Sequence, residues 1–225
     1  LGFVKGNNLG IQYVLSTEKY KYMVLLNDDT VVDPNWLIEL VKAAEMDPTI
    51  GALQPKLKSL RKPSFFEYNG ACGGMLDVYG VPFCRGRIFD LEEEDKGQYD
   101  TIAEVFWASG AAMFLRVKAI REAGLLDEIL YAHMEEIDLS WRLRLLGYKI
   151  FCVPSAVIYH LGGQTPLPDK YYLKARNNLI IMLKNYSSFY LIRYLPLRIV
   201  LDLLSMIFYF IKNEDNSKRS FSIIK

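Results

Sequence analysis

The sequence predicts an α/β fold, an open sheet with helices packed against it. Three stretches predict it. Tyr22–Leu26 is an apolar run of the kind that forms a strand buried on both faces in a parallel sheet. It runs straight into Asn27-Asp28-Asp29-Thr30, which puts a polar, twice-acidic tip at the strand's carboxyl end, where open α/β sheets bind ligands. Residues 34–46 then carry Trp36, Leu37, Leu40, Val41 and Ala44 at helical spacing, and residues 50–57 read as the next strand, with Pro55 marking an edge or a strand end.

The acidic tip has two readings. Two carboxylates about 4 Å apart repel by roughly 4 kcal/mol at an effective dielectric of 20. A divalent cation would reverse that sign, and hard cations prefer oxygen ligands. In an extended chain Asn27 and Asp29 would share one side and Asp28 the other. Alternatively the tip is a helix-start loop, with Asp33 as N-cap and Pro34 as first helical residue. Asp33 meets that need alone, so Asp28 and Asp29 stay unexplained by it.

Composition sets bounds. With 225 residues, net charge +1 and 51% hydrophobic content, the chain is neither disordered nor a generic nucleic-acid binder. Cys72, Cys84 and Cys152 are odd in number and far apart. No CxxC pair supports zinc or redox chemistry, and the three read as reduced and buried, which favours the cytosol. The sequence opens at Leu1 without an initiator Met and reads as a fragment.

The remaining elements follow in order. Gly2, Gly6 and Gly10 punctuate the start, which predicts a loop leading into a helix capped by Asn7 or Asn8 and ending near Ser16. Amides at such a turn favour phosphate, though a turn of this kind also occurs without a ligand. Residues 58–104 are the least regular part and read as a long insertion able to shape an acceptor pocket. Within it Lys58, Arg61 and Lys62 read as a solvated face, and Glu92-Glu93-Glu94-Asp95 as an exposed loop. Residues 111–115 form a buried strand reached through Trp107, Ala108, Ser109 and Gly110. Gly110 would let a ligand or another backbone come close, and Trp107 serves either the core or a sugar ring. A short helix over 117–123 is closed by Gly124.

A second concentration of acid opens the next helix at Glu135, with Leu139, Leu143 and Leu146 inward and Gly147 as the stop. First-turn acids suit the helix dipole, and Asp138 with Arg142 makes an ordinary i,i+4 pair. Glu135 and Glu136 together exceed what the dipole needs, which makes a rigidly aimed carboxylate base a candidate. Residues 149–153 read as a strand stopped by Pro154, and 156–159 as another. His160 follows, before Leu161-Gly162-Gly163, where it is either structural or a metal ligand. Residues 169–185 form a helix with Tyr172, Ala175, Leu179 and Met182 on one face. Residues 195–212 form an amphipathic helix with Leu197, Val200, Leu201, Leu204, Ile207, Phe208 and Ile211 opposite Arg198, Asp202, Ser205, Tyr209 and Lys212. It lies in a membrane interface or packs on its own domain, and Lys218 and Arg219 favour the membrane.

Taken in order, GFVKGNNLGI, LLNDDTVVDPNWL, ASGAAMFLR, MEEIDLSWRLRLLGYKI, VPSAVIYHLGG and KARNNLIIMLKNY resemble the family 2 inverting glycosyltransferases, nearest the rhamnosyltransferase-like branch. The resemblance covers most of residues 1–190. It implies the GT-A fold, a Rossmann-like mixed sheet flanked by helices, with a C-terminal amphipathic helical extension. It implies a catalytic domain over 1–186, whose first strand and helix precede Leu1, and a membrane-associated helical segment over 187–225.

The family's DxD motif falls on Asn27-Asp28-Asp29, which puts Asp29 on Mn²⁺ or Mg²⁺; Asn27 departs from the pattern. The paired acids fall on Glu135 and Glu136, with Glu136 as base in place of the usual Asp and Glu135 or Asp138 as the other catalytic candidates. The strand-end His falls on His160 as a second metal ligand. Gly6 and Asn8 match the donor-side turn. Trp107, Ser109 and Gly110, with Arg142, fall beside donor sugar and acceptor. The partners implied are a nucleotide-sugar, dTDP-rhamnose or a UDP-sugar, a glycan or lipid-linked acceptor, and the inner face of the plasma membrane, with no nucleic acid. Two rivals stand: a nucleotidyltransferase on a similar sheet, and a non-catalytic carbohydrate-binding or scaffold protein.

Overall fold

The computed structural model describes residues 2–68, 70–88, 91–162 and 170–212, with side chains as far as residue 208. Gly163, Lys218 and Arg219, and the side chains of Tyr209, Ile211 and Lys212, lie outside the described residues.

Helix α1 (Gly2–Thr17) occupies the stretch where glycines predict a loop. Val4, Asn8 and Ile11 are buried at i, i+4 and i+7. This one packed face outweighs the helical cost of the glycines, about 1 kcal/mol each against alanine. Gly6 sits on the exposed side with open space around it. Asn8 points inward, its Nδ2 donating to Leu126 O at 2.9 Å and its Oδ1 accepting from Leu126 N–H at 3.0 Å. The donor-side turn expected from Gly6 and Asn8 is therefore absent, and Asn8 is a clasp between α1 and a distant loop.

The main sheet contains β1 (Tyr22–Leu26), β2 (Thr30–Val32), β3 (Ile50–Ser59), β8 (Ala103–Glu104), β9 (Ala112–Arg116) and β10 (Lys149–His160). Its order is β1-β9-β3-β10-β2, with β8 also on β10. The β3–β10 pair is parallel and every other pair is antiparallel. Contrary to the parallel, doubly buried strand expected from its composition, β1 pairs antiparallel with β9, and only Leu25 in it is buried. Fully apolar composition does not distinguish a central strand from one at the side of a mixed sheet.

Both prolines expected to end strands lie inside them. The β3–β10 register shifts between Val153 and Val157, opposite Pro55 and Lys56. Pro55 and Pro154 meet at that bulge, where the ladder is already interrupted and a missing N–H costs nothing.

Side-chain alternation splits the core in two. Met113, Leu115 and Ala52 face the layer holding α1, α3 (Val117–Ala123) and α4 (Glu135–Leu145). Phe114 and Leu53 face α2 (Trp36–Met46). Asp33 caps less directly than its sequence suggests: α2 begins at Trp36, and the Asp33 carboxylate accepts from Asn35 N–H at 2.9 Å. Leu146, expected inward, is 50% exposed just beyond α4.

The insertion forms two small hairpins, β4 (Gly74–Leu76) with β5 (Pro82–Cys84), and β6 (Arg87–Ile88) with β7 (Leu91–Glu92). Its acidic run is not simply solvated. The Asp95 side chain is 8% exposed and pairs with Lys56 and Lys58 at 3.1 Å each.

Helix α5 (Lys170–Asn185) buries Asn177, Asn178, Ile181 and Met182, so of the expected face only Met182 is buried and the helix is turned to put two amides inward. Helix α6 (Ser188–Lys212) docks by its polar stripe. Arg198 is buried, bonded to Asp202 at 2.9 Å and to Tyr79 O at 2.7 Å. Its apolar residues point outward, with Leu197, Val200, Leu204, Ile207 and Phe208 each 45–58% exposed.

Asn8→Ala would leave both polar groups of Leu126 unpaired in the interior, and a loss of about 1–3 kcal/mol in urea denaturation is expected. Unchanged stability would contradict the clasp.

Candidate active site

The strand-end motif is shaped by three backbone contacts. Asn27 N–H donates to Ala111 O at 2.9 Å, so the chain leaves β1 toward β9. The Thr30 hydroxyl donates to Asn27 O at 2.8 Å and closes a turn. Beyond it β2 pairs antiparallel with β10, Thr30 opposite His160, and Leu161 N–H donates to Asp29 O at 3.0 Å. The tip is therefore a turn and not an extended chain.

The turn brings Asp29 Oδ1 to 3.0 Å from His160 Nε2, with Asn27 Nδ2 3.4 Å from the same nitrogen. Glu67 lies behind, its Oε1 3.4 Å from His160 Nδ1. Burial pulls the imidazolium down, but the Glu67 and Asp29 carboxylates overcome it, and the His160 pKa is raised. Asp28 is exposed beside them.

These residues suit a divalent cation. Two donors about 2.1 Å from a cation and at right angles lie about 3.0 Å apart, which is the Asp29–His160 separation. Among the described residues no group of three His, Cys, Asp or Glu side chains would hold an ion alone. A cation here needs further oxygen donors from a ligand or water, as Mg²⁺ and Mn²⁺ sites on phosphates have.

The second acidic motif is presented by a strained loop. Tyr131, His133 and Met134 have φ of 59°, 68° and 72°, a left-handed conformation unusual for such residues. Asn177 holds that loop from α5, its Nδ2 donating to the carbonyls of Leu130, Ala132 and His133 at 2.7, 2.9 and 2.8 Å. Glu135 and Glu136 open α4 directly afterward.

Burial raises the Glu135 carboxyl well above the usual range, and the neighbouring Glu136 charge raises it further. Burial also raises Glu136, while backbone N–H groups and the Lys174 ammonium pull the other way. The Oε2 of each glutamate is out of solvent without a hydrogen-bond partner. His133, desolvated and facing Lys174 and Lys170, is lowered to about 4 and is uncharged at neutral pH.

Asp29, His160, Glu135 and Glu136 all line one cleft of about 690 Å³, joined there by Asn27, Asp28, Trp107, Ser109 and Gly110. That volume lies within the range of about 300–1,000 Å³ usual for small-molecule sites. Trp107 is 5% exposed, its Nε1 donating to Met75 O at 2.9 Å. A Cβ on Gly74 would strike its ring at 1.9 Å, so the indole is chiefly core with one edge on the cleft. Ser109 is held by its N–H to Gln54 Oε1 at 2.8 Å. A Cβ on Gly110 would come within 3.6 Å of the Glu136 Cβ, an ordinary contact, so the position adjoins the acid without being sterically reserved.

Four expected residues do not join. Gly6 and Asn8 lie on α1, away from the cleft lining. Asp138 is fully buried, bonded by Arg142 at 2.9 Å and by Lys184 and Asn185 at 3.0 Å each. Arg142 also donates to the carbonyls of Ala123 and Leu125. This pair ties α4 to its neighbours, as the i,i+4 spacing alone implies, and has no part in the cleft.

Sequence reasoning missed Phe3, Asn7, Tyr68, Arg87, Lys170 and Lys174 on the cleft wall. It also missed Asn177 behind it. A buried Asn-Asn pair inside the α5 pattern was the one available signal for Asn177.

A family model described as glycosyltransferase like family 2 matches residues 3–178. The chain is 30% identical over 146 residues to the N-acetylglucosaminyl-diphospho-decaprenol L-rhamnosyltransferase of Mycobacterium tuberculosis (strain ATCC 25618 / H37Rv), covering 62% of this chain and 46% of that protein. It is 26% identical over 168 residues to rhamnosyltransferase WbbL of Escherichia coli (strain K12), covering 71% of this chain and 60% of that one. The chain thus spans about half the length of these relatives. The crystal structure of GalNAc-T7 with UDP, GalNAc and Mn²⁺ matches with a TM-score of 0.57 at 18% identity, over 81% of this chain and 34% of that one, a likeness of fold alone. Since the family match spans every strand and both acidic motifs, this chain belongs to the family 2 glycosyltransferases, has the GT-A fold, and is rhamnosyltransferase-like.

Proposed function

We propose that this chain is the catalytic part of an inverting, metal-dependent glycosyltransferase. It moves a sugar, rhamnose by the names of its relatives, from a thymidine or uridine diphosphate donor to a hydroxyl of a glycan or lipid-linked acceptor. The observation that carries this reading is the single cleft lined by both Asp29–His160 and Glu135–Glu136.

Asp29 and His160 would hold Mn²⁺ or Mg²⁺, with the donor diphosphate and water as the remaining ligands. The cation supplies charge neutralisation at the departing diphosphate when bound. Asn27, beside His160 Nε2, contributes a neutral amide where the family usually has an acid.

Glu136 accepts the proton of the acceptor hydroxyl as that oxygen bonds to the anomeric carbon. The bond from that carbon to the diphosphate oxygen breaks on the opposite side, and its electron pair leaves with the diphosphate. One displacement inverts the configuration. Holding acceptor and donor in line supplies up to about 7–11 kcal/mol of the barrier. Burial and the Glu136 charge raise Glu135, which favours its neutral form beside the base. Its neutral form lets Glu136 ionise, and the raised Glu136 is a stronger base than an exposed glutamate. Asn177 acts as a positioning residue for the loop that aims the pair.

Helix α6 supports a place at a membrane surface. Among the described residues no helix is long and apolar enough to cross a membrane. The outward apolar face of α6 suits lying in the interface, on the cytoplasmic side.

Glu136→Gln is expected to keep calorimetric binding of the nucleoside diphosphate with Mn²⁺ and to lower sugar transfer by roughly 10²–10⁴-fold. Full turnover would contradict its role as base. Because Glu136 is raised, kcat/KM of the parent should fall as the pH drops through a limb above the ordinary carboxylate range. For the membrane reading, Leu204→Asp with Ile207→Asp should reduce cosedimentation with anionic phospholipid vesicles while far-ultraviolet circular dichroism stays unchanged. Equal cosedimentation would sink it.

A further inference from the structure

The His160 ring is backed by a carboxylate that the reaction above does not use. Glu67 is buried, with its Oε1 3.4 Å from His160 Nδ1. That nitrogen is itself out of solvent. A buried ring N–H needs an acceptor, and Glu67 Oε1 stands at the long end of bonding range. Hydrogen bonds around a reacting centre are often long before the ligands arrive and tighten in the complex.

The backbone fixes Glu67 in this place. Its N–H donates to Leu57 O at 2.9 Å, and the preceding Phe66 bridges Lys58 and donates to Glu93 O at 3.0 Å. The segment is thereby laced to β3, which pairs with β10 as far as Ser59 opposite His160. One ladder thus sets both the carboxylate and the imidazole. Gly162 leaves the room between them. Its φ is 62°, and a Cβ there would come within 2.9 Å of Glu67 Oε1 and 3.7 Å of His160 Nδ1. A side chain at this position would be strained, and the carboxylate, as the mobile end, would be the part to yield.

The opposite nitrogen, Nε2, faces Asp29 Oδ1 at 3.0 Å and Asn27 Nδ2 at 3.4 Å. An imidazole ligates a cation through a bare nitrogen and keeps its proton on the other. An acceptor behind that second nitrogen orients the ring and strengthens the first as a ligand. We propose that Glu67 is a positioning residue for the cation site: it accepts the Nδ1–H of His160, aims Nε2 at the Asp29 side, and relies on Gly162 for its place. The proposal rests on the reading of Asp29 and His160 as holders of the donor's cation.

Glu67→Ala and Glu67→Gln are compared in the full chain, with folding checked by circular dichroism. Mn²⁺ binding is followed by electron paramagnetic resonance with uridine or thymidine diphosphate present. With Mg²⁺ in its place, the Nδ1-bound proton of His160 is observed by nitrogen-15-edited NMR. The chain has two histidines, and His160→Gln identifies the signal. The parent should show a slowly exchanging Nδ1–H. Glu67→Ala should lose that signal to exchange and weaken Mn²⁺ binding by about 10–100-fold. Glu67→Gln, which keeps an acceptor oxygen, should fall between the two. Gly162→Ala, with Glu67 itself untouched, should also weaken Mn²⁺ binding and the Nδ1–H signal. Unchanged affinity in Glu67→Ala overturns the proposal, as does weakened affinity with the Nδ1–H signal intact, the result of a merely structural role. If Glu67→Ala does not fold, Glu67→Gln and Gly162→Ala decide by the same two readouts. Nucleotide-dependent Mn²⁺ binding that is indifferent to every Glu67 and Gly162 substitution removes the positioning role alone. A parent that binds Mn²⁺ no better with nucleotide than without it overturns the cation reading, and the proposal with it.

Discussion

The antiparallel pairing of β2 with β10 is the constraint on which the site depends. It sets Thr30 opposite His160 and ties Asp29 O to Leu161 N–H. Residues far apart in sequence therefore meet as a carboxylate and an imidazole 3.0 Å apart. A one-residue slip in this short ladder would turn His160 to the other face of the sheet. The parallel β3–β10 ladder guards against that slip, because it continues past the bulge to pair His160 with Ser59. The bulge at Pro55 and Pro154 absorbs the irregularity before the strand end, where the chemistry lies.

The cleft gathers charge of both signs. A carboxylate and an imidazole, a buried glutamate pair, and two lysines with an arginine all line it, with Lys174 close enough to Glu136 for each charge to act on the other. Each group is poorly satisfied by protein alone. Both glutamates have an unpartnered oxygen out of solvent, and Lys174 is pulled down by burial. A structure optimised only for stability would not leave such groups without partners. The strain in the 131–134 loop is borne by three carbonyl bonds to one amide, Asn177. Stability elsewhere thus holds an arrangement that is unfavourable by itself.

Much of this was legible in the sequence, and the exceptions have physical reasons. The strand–acid tip of β1, the helix after Glu135 and the strand ending at His160 are local patterns, and the structure has each of them. Strand direction in β1 was not legible, because an apolar run carries no record of its partner. The first helix was obscured by Gly6 and Gly10, whose local propensity yields to the buried Val4, Asn8, Ile11 face. Prolines at 55 and 154 read as terminators, since the bulge that tolerates them is a property of two strands together. Asp138 and Arg142 read as site residues only by nearness to Glu136 in sequence; two helical positions turn Asp138 to the far side, into the contact with Lys184 and Asn185. The cationic side chains of the cleft were invisible because Arg87 and the lysines converge only in three dimensions.

The most direct test concerns the two-donor cation site. Free Mn²⁺ is followed by electron paramagnetic resonance as protein is added, with and without uridine or thymidine diphosphate, while the His160 imidazole is monitored by nitrogen-15 NMR with Mg²⁺ in place of Mn²⁺. Two protein donors alone should bind the ion weakly. Nucleoside diphosphate should tighten binding markedly and perturb the His160 resonances at the same time. Equal Mn²⁺ binding with and without the nucleotide, or a His160 signal indifferent to the pair, would contradict a cleft in which Asp29 and His160 share a cation with the donor.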